Sequence, residues 1–386
     1  MGIRNYTAVI PTVNCMNETA VRIADGIDGA VALPHIGRCA FLGADQTRLL
    51  HTLARLGRNP NVSGALVVGL GCEASTAEQV VEQMTPSTRP TELLTVEKEG
   101  NAAAMIGKAR ALVSRMAADS AGLEREPVEL SDMTLAIKCG GSDTTSGVSG
   151  NAVAGRIADR VVDAGGTVVF TETAEILGGE QLLARRAVSD RVREKLLRMV
   201  GEKEAAIKAM GVDLRRCEPT PGNIQGGLTT IEEKSLGCIV KAGSRPLQGV
   251  LDWGGRPEER GLFFMDGPSH TTEICAGVAS AGAQIMIFSQ GGGLPSMLPM
   301  VPAQSSRFPI MPVVKMSGNP HGYEERKDQL DIYVGSILEG RETVEQAADR
   351  AFDELLAVVS GRERSYSERY TSYVEPLNLY FTGPLV

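Results

Sequence analysis

Aromatic residues are scarce in this sequence: they make up 4% of its 386 residues, and only one of them is a tryptophan. Glycine is plentiful by comparison, with 44 residues. This combination favours a fold with many tight turns between strands and helices over an all-β sandwich.

An excess of positive charge is also missing. The formal net charge is −8, which argues against a nucleic-acid-binding surface because such surfaces are basic. No apolar run approaches the roughly 20 residues that span a bilayer, and residues 1–6 contain no apolar stretch of signal-peptide length. We therefore expect neither a nucleic-acid partner nor a membrane partner.

Cysteine pairs of the C-x-x-C type are absent, and the seven cysteines are an odd number. A disulfide framework of a secreted protein is therefore not expected, and a reducing, cytoplasmic location is. The glycine stretches do not fit a P-loop, and no G-x-G-x-x-G follows the first predicted strand. These absences argue against a P-loop nucleotide site and a nicotinamide dinucleotide site.

Four of the cysteines share a setting that points to chemistry. Each lies in a turn with glycine, proline or an acidic residue, shortly after an apolar run that is typical of a buried parallel strand. In open α/β sheets, ligands bind in the crevice at the carboxyl ends of the strands. Any one of these cysteines can be a small buried hydrophobic residue, but the shared setting predicts that together they serve a metal-dependent site: Cys15, Cys39, Cys72 and Cys139. The other three lack this setting and are interpreted as small buried hydrophobic residues: Cys217, Cys238 and Cys275.

Alternating strand-like and helix-like segments predict an α/β fold. We expect a smaller N-terminal α/β domain at residues 1–128 and a second, larger α/β domain at residues 129–386. The boundary falls in a charged, proline-containing stretch at residues 124–131.

Two glycine turns are candidates for anion binding. Residues 138–147 read Lys-Cys-Gly-Gly-Ser-Asp-Thr-Thr-Ser-Gly, and three successive glycines follow a strand-like run at 284–289. Backbone N–H groups of such turns can bind an anion, although Asp, Thr and Ser there also serve as ordinary helix caps. The predicted substrate-binding residues are Gly140, Gly141, Ser142, Gly291, Gly292 and Gly293.

Carboxylates follow two further predicted strands. Glu172 and Glu175 come after the strand-like residues 167–170, and Asp266 and Glu273 come after residues 262–264. Such carboxylates can bind a divalent cation or transfer protons, and helix capping explains only one member of each pair. The predicted metal ligands are Cys39, Cys72, Cys139, Glu172, Asp266 and Glu273.

Taken in their order along the chain, these motifs resemble the altronate and galactarate dehydratase family. The resemblance runs from Gly2 to about Gly340. It rests on residues 2–6, 10–13, 32–35 with Cys39, 59–62, 68–73, 139–143, 172–180, 233–237 and 265–266. It implies an iron(II)-dependent lyase with a Rossmann-like catalytic domain built on a parallel sheet.

The resemblance also implies partners. Many members carry a small β-clip domain ahead of the catalytic region, and this sequence begins directly at the matching residues 2–6. We therefore expect the large subunit of a two-subunit enzyme, with a separate small β-clip subunit. We also expect a homo-oligomer of the large subunit, with contacts through residues 2–125. An iron–sulfur cluster held by Cys15, Cys39 and Cys72 is an alternative to mononuclear Fe(II).

Two departures from the sugar-acid dehydratases bear on the substrate. The glycine turn at 290–293 lacks their arginine, and residues 329–331 read Gln-Leu-Asp where they carry an Asp-Met-Asp segment. Both departures argue against a long polyhydroxy acid such as altronate or galactarate. The resemblance to the two-subunit branch of the family implies a compact sulfonate instead, sulfolactate, cleaved to pyruvate and sulfite. The glycine turn at 291–293 is expected to cradle the sulfonate.

The chemistry common to these substrates is removal of the C2 proton and loss of a group from C3, which gives an enol. The predicted catalytic residues are His35, Lys138, Asp143 and Lys315. The base stays open among His35, Lys138 and Lys315, and His35 can equally be a structural hydrogen-bonding residue. The alternatives to sulfolactate cleavage are a sugar-acid dehydratase and, in a different class, a non-catalytic metal-binding or assembly subunit.

Overall fold

The chain forms two parallel sheets of different size, each flanked by helices. The computed structural model describes residues 1–85, 87–292, 308–369 and 376–383. The strands of the smaller sheet are β1 (Tyr6–Pro11), β2 (Ala30–Ala32), β3 (Val62–Gly69) and β4 (Thr91–Thr95). The strands of the larger sheet are β5 (Thr134–Gly140), β6 (Thr167–Thr171), β7 (Leu247–Leu251), β8 (Gly261–Met265), β9 (Ile285–Gln290), β10 (Val313–Ser317) and β11 (Ile332–Tyr333).

The helices of the described residues cover the faces of these sheets. In the N-terminal part they are α1 (Asn17–Ala24), α2 (Gly43–Gly57), α3 (Ala77–Met84), α4 (Val96–Glu99) and α5 (Ala102–Ala121). The rest are α6 (Gly150–Asp163), α7 (Glu180–Ala184), α8 (Asp190–Ala209), α9 (Leu214–Cys217), α10 (Pro221–Gln225), α11 (Ile231–Ile239), α12 (Thr271–Ser280), α13 (Pro320–Arg326), α14 (Val344–Val359) and α15 (Tyr366–Arg369). None of the helices in the described part of the chain combines the length and the apolar character of a membrane span.

The strand order confirms the predicted α/β fold with a large and a small parallel sheet. The smaller sheet has the order β2-β1-β3-β4 and the larger β11-β10-β9-β5-β6-β8-β7, with parallel pairing throughout. In the larger sheet the chain leaves β5 toward β6 on one side, and leaves β9 toward β10 on the other. This reversal is a topological switch point, where a crevice opens at the carboxyl ends of the strands.

One hydrophobic core is shared by both sheets. It combines Ile10 and Leu53 of the N-terminal part with Ala136 and Met286 of the larger sheet, all buried. A second core covers the opposite face of the larger sheet, beneath α6 and α14. The predicted boundary at residues 128/129 falls in the connection between α5 and β5.

Two asparagine side chains join the sheets by polar contacts. Asn59 Nδ2 donates to the carbonyl oxygens of Ala279 and Ala283 at 2.8 and 2.9 Å. Asn61 Nδ2 donates to the carbonyl oxygen of Gln284 at 2.7 Å. Because both amides are buried and bonded across the junction, this stretch has a structural role between the sheets.

The described C-terminal residues 376–383 pack on the N-terminal part. Leu377 N donates to the carbonyl oxygen of Pro34 at 2.7 Å. The rings of Phe381 and Phe41 stack with centroids 4.2 Å apart. This segment therefore holds the loop after β2 and the start of α2 against the rest of the molecule.

Candidate active site

The carboxyl ends of β5 and β9 bring the two predicted glycine turns together at the switch point. Gly291 N donates to the carbonyl oxygen of Gly140 at 3.0 Å. Glycine is needed here because a Cβ on Gly291 would lie 2.2 Å from the carbonyl oxygen of Gly141. Gly293 lies outside the described residues.

Asp143 holds these turns in place. Its Oδ1 accepts hydrogen bonds from the N–H and hydroxyl groups of Thr145 and Ser146. Its Oδ2 accepts from Gly292 N at 2.6 Å and from Asn319 Nδ2 at 2.7 Å. The carboxylate is therefore fully engaged as an acceptor, which favours a role in positioning the turns, and its catalytic role stays a prediction.

The glycine turn after β9 was expected to bind a sulfonate through free backbone N–H groups. Its two described N–H groups, those of Gly291 and Gly292, donate to acceptors of the protein instead.

A buried group of two thiols and two carboxylates lies at the ends of β5 and β6. Cys139 Sγ is 3.5 Å from Glu172 Oε2, 3.3 Å from Glu175 Oε2 and 3.5 Å from Cys238 Sγ. Cys238 Sγ is 3.2 Å from the same oxygen of Glu175. The structure thus unites Cys139 and Glu172, which were predicted from separate motifs.

Three members of this group can hold a metal ion. The donor atoms of Cys139, Glu175 and Cys238 lie within 4.8 Å of one another, and this is the single group of its kind among the described residues. Two sulfur donors with one carboxylate suit Fe(II) or Zn(II) better than Mg²⁺ or Ca²⁺, which prefer oxygen ligands. The residues present therefore fit a transition metal.

Three buried lysines offset the negative charge of this group. The salt bridges join Lys138 to Glu172, Lys241 to Glu172, Lys234 to Glu175 and Lys234 to Glu218, with N–O distances of 2.9, 2.6, 3.3 and 2.7 Å. Three lysines balance three glutamates when both thiols are neutral. A divalent cation would keep this balance if both thiols lost their protons, as ligation requires.

The pKa shifts follow from burial and from these charges. Burial would raise the pKa of Glu175, but three nearby lysines lower it to about 2. Burial would lower the pKa of Lys241, but the interactions with Cys139 and the glutamates raise it. The hydrogen bond with Cys139, and then burial, raise the pKa of the Cys238 thiol. At neutral pH, Glu175 and Lys241 are therefore charged.

Glu172 adopts a strained backbone conformation. Its φ of 90° is the one positive value at a non-glycine residue in the described part of the chain, and such conformations cost free energy unless the surroundings enforce them. The carboxylate is held by Lys138, by Lys241 and by Cys139 N, which donates to Oε2 at 3.1 Å. This conformation places a carboxylate beside the Cys139 thiol.

We expect Glu172→Gln to lower the free energy of unfolding by about 3–5 kcal/mol, because Lys138 and Lys241 lose a buried counter-charge. Equilibrium urea unfolding measures this loss. The control is Glu339→Gln, which breaks an exposed pair with Arg341 and should cost far less. Equal losses in the two variants would contradict this account of Glu172.

His35 is fully engaged by backbone groups. Its Nε2 lies 2.7 Å from the carbonyl oxygen of Pro11, and its Nδ1 accepts from Gly37 N at 2.9 Å. Burial lowers the pKa of His35 to about 4 and outweighs the opposing effect of its hydrogen bond to the Pro11 carbonyl oxygen. The ring is therefore neutral and ties the loops after β1 and β2 together. Its catalytic role stays a prediction, and this arrangement does not favour it.

The three N-terminal cysteines lie after β1, β2 and β3, at the carboxyl edge of the smaller sheet. Cys15, Cys39 and Cys72 are exposed, and Ala74 N donates to the carbonyl oxygen of Cys39 at 2.9 Å. Among the described residues, no ligand group of three includes any of them. The structure therefore does not place Cys39 or Cys72 in one ligand set with Cys139.

Asp266 and Glu273 lie after β8, the neighbour of β6. Asp266 Oδ1 accepts from the hydroxyl of Thr173 at 2.6 Å, which links the loops after the two strands. Glu273 lies in the first turn of α12, where burial raises its pKa. Neither carboxylate belongs to the described ligand group around Cys139.

Lys138 and Lys315 lie on one face of the larger sheet. Phe288 of β9 is in register with Lys138 of β5 and with Lys315 of β10, which puts the two lysine Cα atoms about 10 Å apart. Lys315 Nζ lies 5.0 Å from the centroid of the Tyr366 ring. Burial lowers the pKa of Lys315 to about 8, although Asp331 opposes the shift.

Two buried hydroxyls at these strand ends have no hydrogen-bond partner in the described structure. They are Ser142 Oγ, after β5, and Thr171 Oγ1, at the end of β6. A buried hydroxyl without a partner is unfavourable unless water or a ligand satisfies it. Both atoms could bond a ligand at this edge, and the substrate-binding role of Ser142 stays a prediction.

Sequence reasoning missed several members of the buried group. Cys238 was interpreted as a small hydrophobic residue, and the structure corrects this because its thiol lies against Glu175 and Cys139. Lys241 was also missed. A signal was present, because residues 233–237, which carry part of the family resemblance, lead directly into Cys238.

Two family models match the chain. The model described as the D-galactarate/altronate dehydratase C-terminal domain matches residues 130–379. The model described as the D-galactarate dehydratase/altronate hydrolase second domain matches residues 1–121. Together they cover both sheets.

Named relatives match over most of the chain. The (2R)-sulfolactate sulfo-lyase subunit beta of Chromohalobacter salexigens is 36% identical, over 94% of this chain and 90% of the relative. The altronate dehydratase of Escherichia coli is 31% identical, over 94% of this chain and 72% of the relative. The galactarate dehydratase (L-threo-forming) of Escherichia coli is 30% identical, over 83% of this chain and 61% of the relative.

Proposed function

The chain belongs to the D-galactarate and altronate dehydratase family and is a lyase, and we propose that it eliminates sulfite from (2R)-sulfolactate to give pyruvate. The observation that carries this proposal is the buried group of Cys139, Glu175 and Cys238 at the carboxyl ends of β5 and β6. The choice of sulfolactate is supported by the sulfo-lyase subunit, which this chain matches over 90% of its length.

We propose that Cys139, Glu175 and Cys238 hold Fe(II). When bound, such a cation acts as a Lewis acid toward the carboxylate and 2-hydroxyl of a 2-hydroxy acid. The surrounding lysines keep Glu175 ionised, and Glu172 fixes two of those lysines beside the thiols.

Lys315 is the proposed base. With a pKa of about 8, part of its population is a neutral amine at neutral pH and can take the C2 proton of the substrate. The electrons of the C2–H bond then form the C2–C3 double bond, and those of the C3–S bond leave with sulfite. The enol of pyruvate remains and tautomerises to pyruvate.

Lys138 has the complementary role. Burial opposes its charge, but Glu172 and Glu175 raise its pKa, so it keeps its proton at neutral pH. Its ammonium group is proposed to stabilise the negative charge that develops as the C2 proton leaves.

The second candidate is a sugar-acid dehydratase, in which hydroxide leaves C3 by the same chemistry. It is supported by the hydrogen bonds that Gly291 N and Gly292 N donate within the protein, because these two N–H groups are then not free to bind a sulfonate. The altronate dehydratase at 31% identity supports it as well.

We also propose the expected assembly. The sulfo-lyase relative is named as a subunit, which supports a small β-clip partner for this chain, and a homo-oligomer of the large chain is part of the proposal. All seven cysteines are free, which agrees with the proposed cytoplasmic location.

The test is an anaerobic substrate screen with ferrous iron, using the chain alone and co-expressed with its small partner. We expect sulfite and pyruvate from sulfolactate, in equal amounts, and slow turnover of altronate and galactarate. Faster formation of a keto-deoxy acid without sulfite would favour the second candidate. No turnover of any substrate in an iron-loaded complex would favour a non-catalytic subunit.

A further inference from the structure

Four arginines meet at the amino-terminal edge of the sheets, opposite to the Cys139 group. Arg55 lies in the last turn of α2 and Arg58 just after it, while Arg89 precedes β4 and Arg256 precedes β8. We call these four residues the arginine cluster. Three come from the N-terminal part and one from the larger domain, so the cluster spans the junction between them.

Two members are tethered by hydrogen bonds that bring the four together. Arg55 Nη1 donates to the carbonyl oxygen of Gly254 at 2.7 Å, close in sequence to Arg256. Arg89 Nη1 donates to the carbonyl oxygen of Asn59 at 2.6 Å, next to Arg58. Both contacts leave other N–H groups of these guanidinium forks available.

No carboxylate offsets these charges within the described residues. Burial lowers the pKa values of Arg55 and Arg89 most, and the positive charges of Arg256 and Arg58 lower them further. The guanidinium groups of Arg58 and Arg256 form no hydrogen bond or ion pair with the described protein. This is unusual in a chain with 47 acidic residues and a net charge of −8.

Helix ends account for only part of this charge. α2, α3 and α12 all end nearby, since Asn59 bonds the carbonyl of Ala279 and Gly57 packs against Met84. Each helix C-terminus carries about half a negative charge, so three ends offset about 1.5 of the four positive charges. More than two positive charges are left without a partner in the described structure.

We propose that the arginine cluster binds a small multivalent oxyanion, either a phosphate ester or a polycarboxylate. Planar guanidinium forks match the oxygen geometry of both groups. Arg89, alone among the four, also lines an open cavity of ≈ 820 Å³ together with Pro60 and Gln284. Because the ligand joins segments of both domains, it stabilises their junction. The site is independent of the proposed lyase reaction.

Thermal unfolding of the full chain tests this proposal. Tm is measured in pyrophosphate or in citrate and compared with Tm in chloride at the same ionic strength. We expect an upward shift of Tm by a few degrees at anion concentrations well above Kd. The shift should be lost in Arg58→Gln/Arg256→Gln and kept in Arg193→Gln/Arg198→Gln, which removes the same two positive charges from exposed pairs with Asp190 and Glu202. A larger shift with pyrophosphate points to a phosphate ester, and a larger shift with citrate to a polycarboxylate.

A second readout separates a ligand site from a structural one. In chloride alone, Arg256→Gln should leave Tm unchanged or higher, because it relieves repulsion without breaking an ion pair. Arg256 is exposed, so this single variant should fold. No anion-dependent shift in the wild type, or an equal shift in the double variant, would overturn the proposal.

Discussion

Replacing Cys238 with serine should strip the iron from the purified protein and lower kcat at least about 100-fold. Serine keeps the size of the side chain but not the thiolate that binds a borderline metal, and changes even beyond the direct ligands cost 10–100-fold in metal affinity or activity. Elemental analysis of protein purified without oxygen, followed by kinetics with added Fe(II), measures both effects.

The matched control is Cys275→Ser, at a cysteine that is equally buried but lies outside the described ligand group. It should keep its iron. A chelator should abolish wild-type activity, and Fe(II) should restore it, whereas the Cys238 variant should recover little. If Cys238→Ser bound iron as the wild type does, the metal assignment would be wrong.

Replacing Lys315 with arginine should lower kcat about 10²–10⁴-fold, the range expected for a general base. Arginine keeps the positive charge but cannot lose its proton near neutral pH. In the wild type, kcat should rise with pH and level off above about 8, because the neutral amine is the active form and the folded pKa is about 8. Steady-state kinetics from about pH 6 to about pH 9, on either side of that pKa, measures the loss of kcat and the pH profile.

Stability distinguishes this role from a structural one. The pKa of Lys315 is lower in the folded than in the unfolded protein, so its ammonium form destabilises the fold below pH 8, and stability rises as pH increases toward the unfolded value. Lys315→Met should therefore lose activity without losing unfolding free energy at pH 7. Lys327→Arg, at an exposed lysine, is the control and should change neither. A wild-type pH profile that stays flat through pH 8 would argue against Lys315 as the base.

Local patterns in the sequence determined the fold class and part of the site. Short apolar runs followed by glycine or acidic turns predicted parallel strands and their carboxyl ends, since strand length and turn chemistry are local properties. Cys139 and Glu172 each follow such a run, and the structure places Cys139 Sγ 3.5 Å from Glu172 Oε2. Parallel strands present their carboxyl ends at one edge, so both residues could be placed at that edge before the strand order was known. Their contact depends on β5 and β6 being neighbours in the sheet.

The partners of these residues depended on tertiary structure. Cys238 and Lys241 lie about a hundred residues beyond Cys139 in the chain, at the end of α11 and just after it, and only long-range packing brings them to the end of β5. No local pattern encodes which helix packs over which strand end, because that choice depends on burial summed over the whole core.

Hydrogen-bond partners likewise changed the meaning of residues that the sequence singled out. Asp143 and His35 have the chemistry of catalytic groups, yet their polar atoms are taken by backbone and side-chain groups, some local and some from distant segments. The arginine cluster had no sequence signature at all, because its members are spread from Arg55 to Arg256. Residue type determines what a side chain can do, whereas the tertiary structure decides which donors, acceptors and charges surround it.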